Sequence, residues 1–233
     1  MKRLWTAACV CLVLCGALEA GEKEAPKGEP AAKAKLPKGF KPLFDGKTLK
    51  GFKGRPTLWK VADGAIVGET TAATKLKHND FLHTEKQYAN FELRLKFRLR
   101  NHNSGVQLRS VVHDDFRVTG YQADIAEKRY TGILYEEGGR GILVNVDPKK
   151  VAKHLKKDTW NEYRILCDGP RLQFWINGHQ TVNYTEKDAK KGATKGVIAF
   201  QLHVGPPMQV MYKDLFIKEL PATAADKPAE KDQ

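Results

Sequence analysis

The stretch 91-FELRLKFRLR-100 decides the fold class. Phenylalanine and leucine occupy every odd position, and glutamate, arginine and lysine occupy every even position. This period of two places the apolar side chains on one face of an extended strand and the charged side chains on the other. The stretch therefore predicts a half-buried strand whose charged face meets solvent.

The flanking sequence reads as further strands joined by tight turns. The stretch 58-LWKVADGAIVGE-69 is predicted to turn at Asp63-Gly64, and 171-RLQFWINGHQTVNY-184 at Asn177-Gly178, dipeptides that tolerate the positive φ of hairpin turns. Helical periodicity is weak, and only 148–157 and 186–191 could hold a turn or two. Many short strands at regular spacing predict an all-β fold, a two-sheet antiparallel β-sandwich of jelly-roll type.

The two ends of the chain have a different composition. Residues 1–20 combine a basic start, a short apolar run and small residues near position 20, which predicts a signal peptide and a secreted or periplasmic protein of the bacterial cell envelope. The apolar run is too short for a membrane span. Residues 21–39 and 221–233, rich in Lys, Glu, Ala and Pro, are predicted to be a flexible linker and a disordered tail. One β-sandwich domain, 40–220, is left between them.

Cysteine content and charge limit the classes of function. Three of the four cysteines lie in the predicted signal peptide, so Cys167 alone can form neither an internal disulfide nor a thiolate metal cluster, and we expect it to be buried. The net charge of +13 favours anionic neighbours, but the lysines are scattered and no nucleic-acid module is recognisable. We expect no nucleic-acid partner.

Alternation also selects polar side chains on the faces that point away from the core. In 104-SGVQLRS-110, 120-GYQADIA-126 and 196-GVIAFQLHVG-205 the apolar residues share one face, and hydrogen-bonding residues share the other. The outward pairs are Gln107 and Arg109, Gln122 and Asp124, and Gln201 and His203. We predict that these pairs converge on one concave outer face that binds a sugar or another polar ligand.

The run 131-TGILYEEGGRG-141 adds Tyr135, Glu136, Glu137 and Arg140. Either glutamate could join Asp124 in a paired-carboxylate glycosidase site or in a Ca²⁺ site, and the spacing does not choose between them. Arg140 could merely neutralise one of the glutamates.

Two stretches contain histidines that could take part in chemistry. In 112-VHDDFRV-118 the histidine and the two aspartates could ligate a metal, but adjacent strand residues face opposite ways, so we do not expect a site there. His203 is a candidate base, because imidazole exchanges a proton near neutral pH.

Eight segments in order resemble the domain of unknown function 1080 family, also called the 3-keto-disaccharide hydrolase domain. They are 43-LFDGKTLKGF-52, 59-WKVADGAIVG-68, 103-NSGVQLRS-110, 120-GYQADI-125, 132-GILYEEGGRG-141, 160-WNEYRI-165, 175-WINGH-179 and 196-GVIAFQLHVGPPMQVMYKDLFIKEL-220. Each motif is weak alone, but the ordered series is specific and spans about residues 40–220. The resemblance implies a sandwich of the concanavalin A-like lectin/glucanase type.

The resemblance also implies an activity, cleavage of glycosides already oxidised to a ketone at carbon 3. Elimination across carbons 1 and 2 would give a 2-hydroxy-glucal, and hydration would complete a net hydrolysis. On this hypothesis His203 or Asp124 is the base, Arg109 stabilises the enediolate, and Tyr135 or Glu136 is the acid. The remaining polar residues would bind the oligosaccharide or 3-keto-glycoside substrate; they are Gln107, Gln122, Glu137, Arg140 and Gln201.

Three alternatives stay open from the sequence. A divalent metal could replace Arg109 in polarising the ketone. Many family members carry Glu-Val-Gln where this chain has Gln122-Ala123-Asp124, so the chain could be a non-catalytic glycan-binding module on the same face. It could also be a basic envelope protein that binds an anionic polymer through its lysines.

Overall fold

The computed structural model describes residues 36–222. The predicted signal peptide, most of the predicted linker and nearly all of the predicted tail lie outside these residues. No helix within the described range is long and apolar enough to cross a membrane.

Fifteen strands, one short α-helix and one 3-10 helix make up the described domain. The helix α1 spans Pro148–Ala152 and the 3-10 helix spans Asp114–Phe116. The strands are β1 Lys41–Pro42, β2 Phe52–Lys53, β3 Trp59–Ala62, β4 Ala65–Thr70, β5 Asp80–Thr84, β6 Phe91–Arg100, β7 Asn103–Val112, β8 Val118–Ala126, β9 Leu134–Glu137, β10 Gly141–Val144, β11 Asn161–Asp168, β12 Arg171–Ile176, β13 His179–Thr185, β14 Val197–Leu202 and β15 Met208–Glu219.

The strands form two antiparallel sheets. In the first, called the back sheet, the order is β13-β12-β11-β6-β15-β4-β3, and β1 pairs with β15. In the second, the front sheet, the order is β10-β9-β8-β7-β14-β5-β2. The predicted all-β, two-sheet antiparallel sandwich is confirmed. The helix at 148–152 occupies only part of the predicted stretch, and the predicted turn of helix at 186–191 is wrong, because the chain there forms turns without a helix.

The apolar residues at alternate strand positions form the core between the two sheets. In β6, Phe91, Leu93, Leu95 and Phe97 are all buried in one large apolar cluster, as the opening stretch predicts. The hairpin turns also form as predicted, with positive φ at both residues of Asp63-Gly64 and of Asn177-Gly178. Cys167 is buried in this core, and burial raises the pKa of its thiol to about 12, so the thiol stays protonated and unreactive.

The prediction that Arg109 faces outward with Gln107 is wrong, because a bulge interrupts β7. Leu108 pairs with Tyr121 and Val111 pairs with Thr119, so two residues of β7 oppose the single residue between those partners. Arg109 takes the bulged position with φ of 49°. An extra residue shifts the alternation by one, and the Arg109 side chain turns away from the outer face.

Arg109 is instead a structural cation that ties loops together. Its side chain is 1% exposed and donates to the carbonyl oxygens of Ala89 and Gly169 at 2.6 Å each. It also donates to Asn90 Oδ1 at 2.6 Å and to the carbonyl oxygen of Ala193 at 3.4 Å. Neutral oxygens replace the water that the guanidinium loses, so the role of enediolate stabiliser expected for Arg109 is withdrawn.

Replacing this guanidinium should destabilise the domain strongly. Arg109→Leu leaves several buried oxygen atoms without a donor, and we expect the free energy of unfolding to fall by about 3 kcal/mol. Denaturant unfolding measures the change. Arg117→Leu, at an exposed position, removes the same charge and is the control, with an expected change within about 0.5 kcal/mol. Equal stability of the two variants would contradict the structural role.

Candidate functional site

A cavity of about 910 Å³ opens on the outer face of the front sheet. Residues of β7, β8, β9, β10 and β14 line it together with neighbouring loops. Six of the sequence-predicted site residues meet there: Gln122, Asp124, Tyr135, Glu137, Gln201 and His203. The strand register explains the meeting, because Gln122 lies opposite Tyr135 in the β8–β9 pair and the other side chains follow by alternation.

Carboxamide groups hold Asp124 in place. Asn103 Nδ2 donates to Asp124 Oδ1 at 2.7 Å, and Gln122 Nε2 donates to Asp124 Oδ2 at 3.0 Å. Each carboxylate oxygen thus has a donor although the side chain is only 4% exposed. Burial of a charge is tolerated where hydrogen bonds replace its hydration.

Glu137 is held in the same manner. Asn79 Nδ2 donates to Glu137 Oε1 at 2.9 Å, and Gln201 Nε2 reaches Glu137 Oε2 at 3.3 Å. Asn79 is itself anchored, since its Oδ1 accepts from the backbone N–H of Val204 at 2.9 Å. Both carboxylates are therefore fixed by amide donors and face one cavity.

A second layer behind Asp124 orients Gln122. Ser110 Oγ donates to Gln107 Oε1 at 2.8 Å, and Gln107 Nε2 donates to Gln122 Oε1 at 2.8 Å. Gln107 is fully buried and does not line the cavity, so the expectation that it touches substrate is wrong; it positions Gln122 instead. Gly105 makes room for this chain of amides, because a Cβ there would lie 2.5 Å from the Gln122 carboxamide carbon.

The environment of the cavity shifts the acidity of its groups. Burial and the negative charge of Glu137 together raise the pKa of Asp124 to about 7, against the hydrogen bonds from Gln122 and Asn103. Burial likewise raises the pKa of Glu137, while Asn79, His203 and Gln201 act in the opposite direction. Burial and the two carboxylates raise the pKa of Tyr135. A carboxyl group whose pKa is about 7 exchanges its proton near neutral pH.

The tautomer of His203 follows from its partner. His203 Nδ1 lies 2.6 Å from the carbonyl oxygen of Val204. A carbonyl only accepts, so Nδ1 carries the proton and the lone pair of the neutral ring is on Nε2. His102 packs edge-on against His203, with ring centroids 4.6 Å apart, and its Nε2 lies 3.1 Å from the same carbonyl. The pair of rings fixes the orientation of His203 at the cavity wall.

Gln201 presents an unused acceptor. Its side chain is fully buried, and its Oε1 accepts no hydrogen bond from any described residue. A buried carbonyl without a donor is unfavourable by about 1–3 kcal/mol. Since Gln201 lines the cavity, a hydroxyl donor of a ligand could satisfy this oxygen.

The chain has clear relatives among known proteins. Residues 39–218 match the family model of the 3-keto-alpha-glucoside-1,2-lyase-like domain. The chain belongs to this family. A search of curated proteins finds no match.

Solved structures agree with the fold of the family. A candidate glycosyl hydrolase from Parabacteroides distasonis is 22% identical, with a TM-score of 0.58 over 78% of this chain and 95% of the other. A second one from the same organism is 23% identical, with a TM-score of 0.57 over 78% and 99%. The carbohydrate-binding module CBM66 from Bacillus subtilis is 10% identical, with a TM-score of 0.54 over 72% and 96%. At these identities the likeness shows the jelly-roll sandwich fold, of the concanavalin A-like type, as the sequence predicts.

Glu136 and Arg140 lie outside the cavity of this family member. Glu136 faces the opposite way from its neighbours Tyr135 and Glu137, since alternate residues of β9 point to opposite faces. Arg140 Nε donates to Glu136 Oε2 at 2.6 Å and Arg140 Nη2 to Glu186 Oε2 at 2.7 Å. Glu136 as the acid and Arg140 as a substrate ligand are therefore wrong, and the two residues form an ion-pair cluster with Glu186.

Several residues that line the cavity were not predicted from the sequence. Asn103 lies on the same face of β7 as Gly105 and Gln107, because the three are alternate residues of the strand. Following the alternation from Gly105 two residues towards the N-terminus would have identified it. Asn79 precedes β5 and reaches Glu137 across 58 residues of sequence, and no local pattern signals this contact. The rim also contains the exposed side chains of Tyr130, on the connection between β8 and β9, and Ile142, on the edge strand β10.

The residues as arranged offer a metal no ready ligand set. Within residues 36–222 no group of three or more His, Cys, Asp and Glu side chains could hold an ion. The four oxygens of Asp124 and Glu137 already accept from carboxamides.

The acidity of Asp124 can be measured directly. Its carboxyl carbon should titrate in ¹³C NMR with a pKa of about 7, whereas the exposed Asp45 should titrate at about 2. Glu137→Gln should lower the pKa of Asp124, because it removes a neighbouring negative charge. An unfolded aspartate titrates near 3.9, so the ionisation of Asp124 should lower stability as the pH rises from about 4 to about 7. Titration of Asp124 near 4 would contradict the buried arrangement.

Stability also tests the unused acceptor of Gln201. Gln201→Met keeps the length of the side chain but removes both the unsatisfied carbonyl and the donor to Glu137 Oε2, so we expect the two effects to offset each other and the free energy of unfolding to change by less than about 1 kcal/mol. Gln209→Met, on the outer face of the back sheet, is the control and loses a hydrogen bond to Glu69. A loss of 1 kcal/mol or more in Gln201→Met would mean that its carbonyl already has a partner.

Proposed function

We propose that this protein is a carbohydrate-active enzyme that cleaves 3-keto-glycosides by elimination followed by hydration. The observation that carries the proposal is that Asp124 and Glu137 face one cavity beside Tyr135 and His203. Membership of the 3-keto-alpha-glucoside-1,2-lyase-like family supports the substrate class. The predicted signal peptide at 1–20 supports action outside the cytoplasm.

The ketone at carbon 3 lowers the barrier to breaking the glycosidic bond. A carbonyl at carbon 3 acidifies the hydrogen on carbon 2, so a carboxylate can remove it and leave an enediolate. The electron pair then forms the double bond between carbons 1 and 2, and the bond from carbon 1 to the leaving oxygen breaks. That oxygen takes a proton from an acid and departs as an alcohol. Water adds across the double bond, with hydroxyl on carbon 1 and hydrogen on carbon 2, which completes a net hydrolysis.

The two carboxyl groups suit the base and acid roles. A base is most effective when its pKa lies near the working pH, and burial brings the pKa of Asp124 to about 7. Glu137, whose pKa burial also raises, is the acid that gives a proton to the leaving oxygen. The Tyr135 hydroxyl is a donor for the enediolate oxygen, in the manner of an oxyanion hole. His203, with its lone pair on Nε2, is the second candidate for the base.

Gln122 and Gln201 complete the binding of the sugar. The unused Oε1 of Gln201 accepts from a sugar hydroxyl, and Gln122 keeps the base in position through its hydrogen bond to Asp124. Tyr130 and Ile142 at the rim offer apolar surface to a sugar ring or to the leaving group.

Turnover of 3-keto-glycosides tests the proposal. The purified protein should cleave 3-keto-glucosides and leave the parent glucosides intact. Asp124→Asn and Glu137→Gln should each lower kcat by about 10²–10⁴-fold, the usual contribution of an acid or base, while the substrate still binds. His203→Ala decides whether the imidazole shares the base role. Glu162→Gln, an exposed substitution on the back sheet, is the matched control and should retain the wild-type rate.

Two results would contradict the enzyme proposal. One is binding of 3-keto-glycosides without cleavage of any of them, with or without added divalent metal, which would indicate a glycan-binding module on the same cavity. The other is full activity of the Asp124→Asn and Glu137→Gln variants.

A further inference from the structure

The outer face of the back sheet carries a dense row of cations on the side of the sandwich opposite the cavity. After Glu92, every outward position of β6 is basic, at intervals of about 7 Å along the strand. Neighbouring strands add Arg164 from β11 and Lys213 from β15. We call this surface the cationic face; its members are Arg94, Lys96, Arg98, Arg100, Arg164 and Lys213.

Strand register sets like charges directly opposite each other on this face. Arg94 pairs with Arg164 across β6 and β11, and Lys96 pairs with Lys213 across β6 and β15. Like charges in such positions destabilise a sheet. A surface that needed only solubility would mix the two signs, so this arrangement is unfavourable for the fold alone.

Acidic residues neutralise only part of the face. Glu92 accepts hydrogen bonds from Arg94 Nε at 2.8 Å and Arg164 Nε at 2.7 Å, and Lys96 Nζ lies 2.9 Å from Asp214. In the described part of the chain, Arg98, Arg100 and Lys213 form no ion pair. These three cations are left to attract an anionic partner.

The Trp160 ring holds two of the three uncompensated cations in place. Lys213 Nζ lies 4.3 Å and the Arg98 guanidinium carbon 5.5 Å from the centre of the Trp160 ring. Burial lowers the pKa of Lys213, and the charges of Lys96 and Arg98 lower it further, against the effect of Asp214. Arg98 and Lys213 are therefore partly ordered before any partner binds, which reduces the entropy lost on binding.

We propose that the cationic face binds an acidic polysaccharide, one that carries carboxylate or sulfate groups, and thereby holds the enzyme on a charged glycan. The charges complement each other, and the face is about 10 Å wide across β11, β6 and β15, enough for an extended chain.

Nucleic acid fits this face less well. The cationic strands belong to an eight-stranded sheet, and a duplex major groove of about 12 Å admits only a two-stranded ribbon. Single strands bind to aromatic rings on which bases stack, but Trp160 packs against an apolar cluster and carries Arg98 and Lys213 at its ring. Trp175 carries the Arg164 guanidinium at 4.2 Å. Both tryptophan rings are therefore occupied by cations and are not free to stack on bases. The face can recognise a polymer only by its charge.

Affinity electrophoresis with polygalacturonate, dextran sulfate and neutral dextran tests the proposal. The face variant is Arg98→Gln/Arg100→Gln/Lys213→Gln. The control variant, Lys47→Gln/Lys50→Gln/Lys190→Gln, removes the same charge from exposed positions elsewhere. A third variant, Arg98→Lys/Arg100→Lys/Lys213→Arg, keeps the charge and separates binding from folding. Cleavage of a small 3-keto-glucoside, measured alongside, separates this proposal from the proposed function.

We expect the wild-type protein to bind the two acidic polymers and not neutral dextran. The face variant should bind at least ten-fold more weakly, and the slope of log Kd against log salt should fall by roughly two to three, the number of contacts removed. The control and charge-keeping variants should bind like the wild type. Equal losses in the face and control variants would overturn the proposal, as would neutral dextran binding or tighter binding to a DNA fragment.

Discussion

The site depends on the burial of two carboxylates on neighbouring strands of one sheet. Asp124 and Glu137 repel each other and lose most of their hydration, and four carboxamide groups make this arrangement possible by donating one hydrogen bond to each oxygen. The donors come from distant parts of the chain and are themselves anchored, Asn79 by a backbone N–H and Gln122 by Gln107. Because the packing of the sandwich holds these four amides in place, it also sets the pKa values of Asp124 and Glu137.

Much of the fold follows from local alternation. The period of two in 91–100 predicts both the core face and the charged face of β6, and the Asp-Gly and Asn-Gly dipeptides predict their hairpin turns. These features could be read from the sequence because each depends on neighbours within a few residues.

The candidate site could be predicted only where the strands stay regular. Alternation places Gln122 and Asp124 correctly on β8, but fails at Arg109, where one bulged residue reverses the side-chain direction. On β9 the sequence reasoning treated adjacent glutamates as interchangeable, although only Glu137 shares the face of Tyr135. Asn79 could not be found, because its contact depends on how distant segments pack.

The same alternation gives the sandwich two distinct outer surfaces. On the front sheet the outward side chains are amides and carboxyl groups gathered in a cavity, and on the back sheet they are arginine and lysine. The core separates the two sets, so a long anionic chain could lie on one surface while a small sugar occupies the other. The six cations of the cationic face thereby lie on the surface opposite the acidic site.

Deuterium incorporation at carbon 2 tests the central claim most directly, since the proposed base must break the bond from that carbon to hydrogen. A 3-keto-glucoside cleaved in D₂O should give a hydrated product with deuterium at carbon 2, at a rate well above the exchange seen with the Asp124→Asn variant. A cleaved product that keeps its original hydrogen at carbon 2 would contradict the account, because it would mean direct displacement at carbon 1.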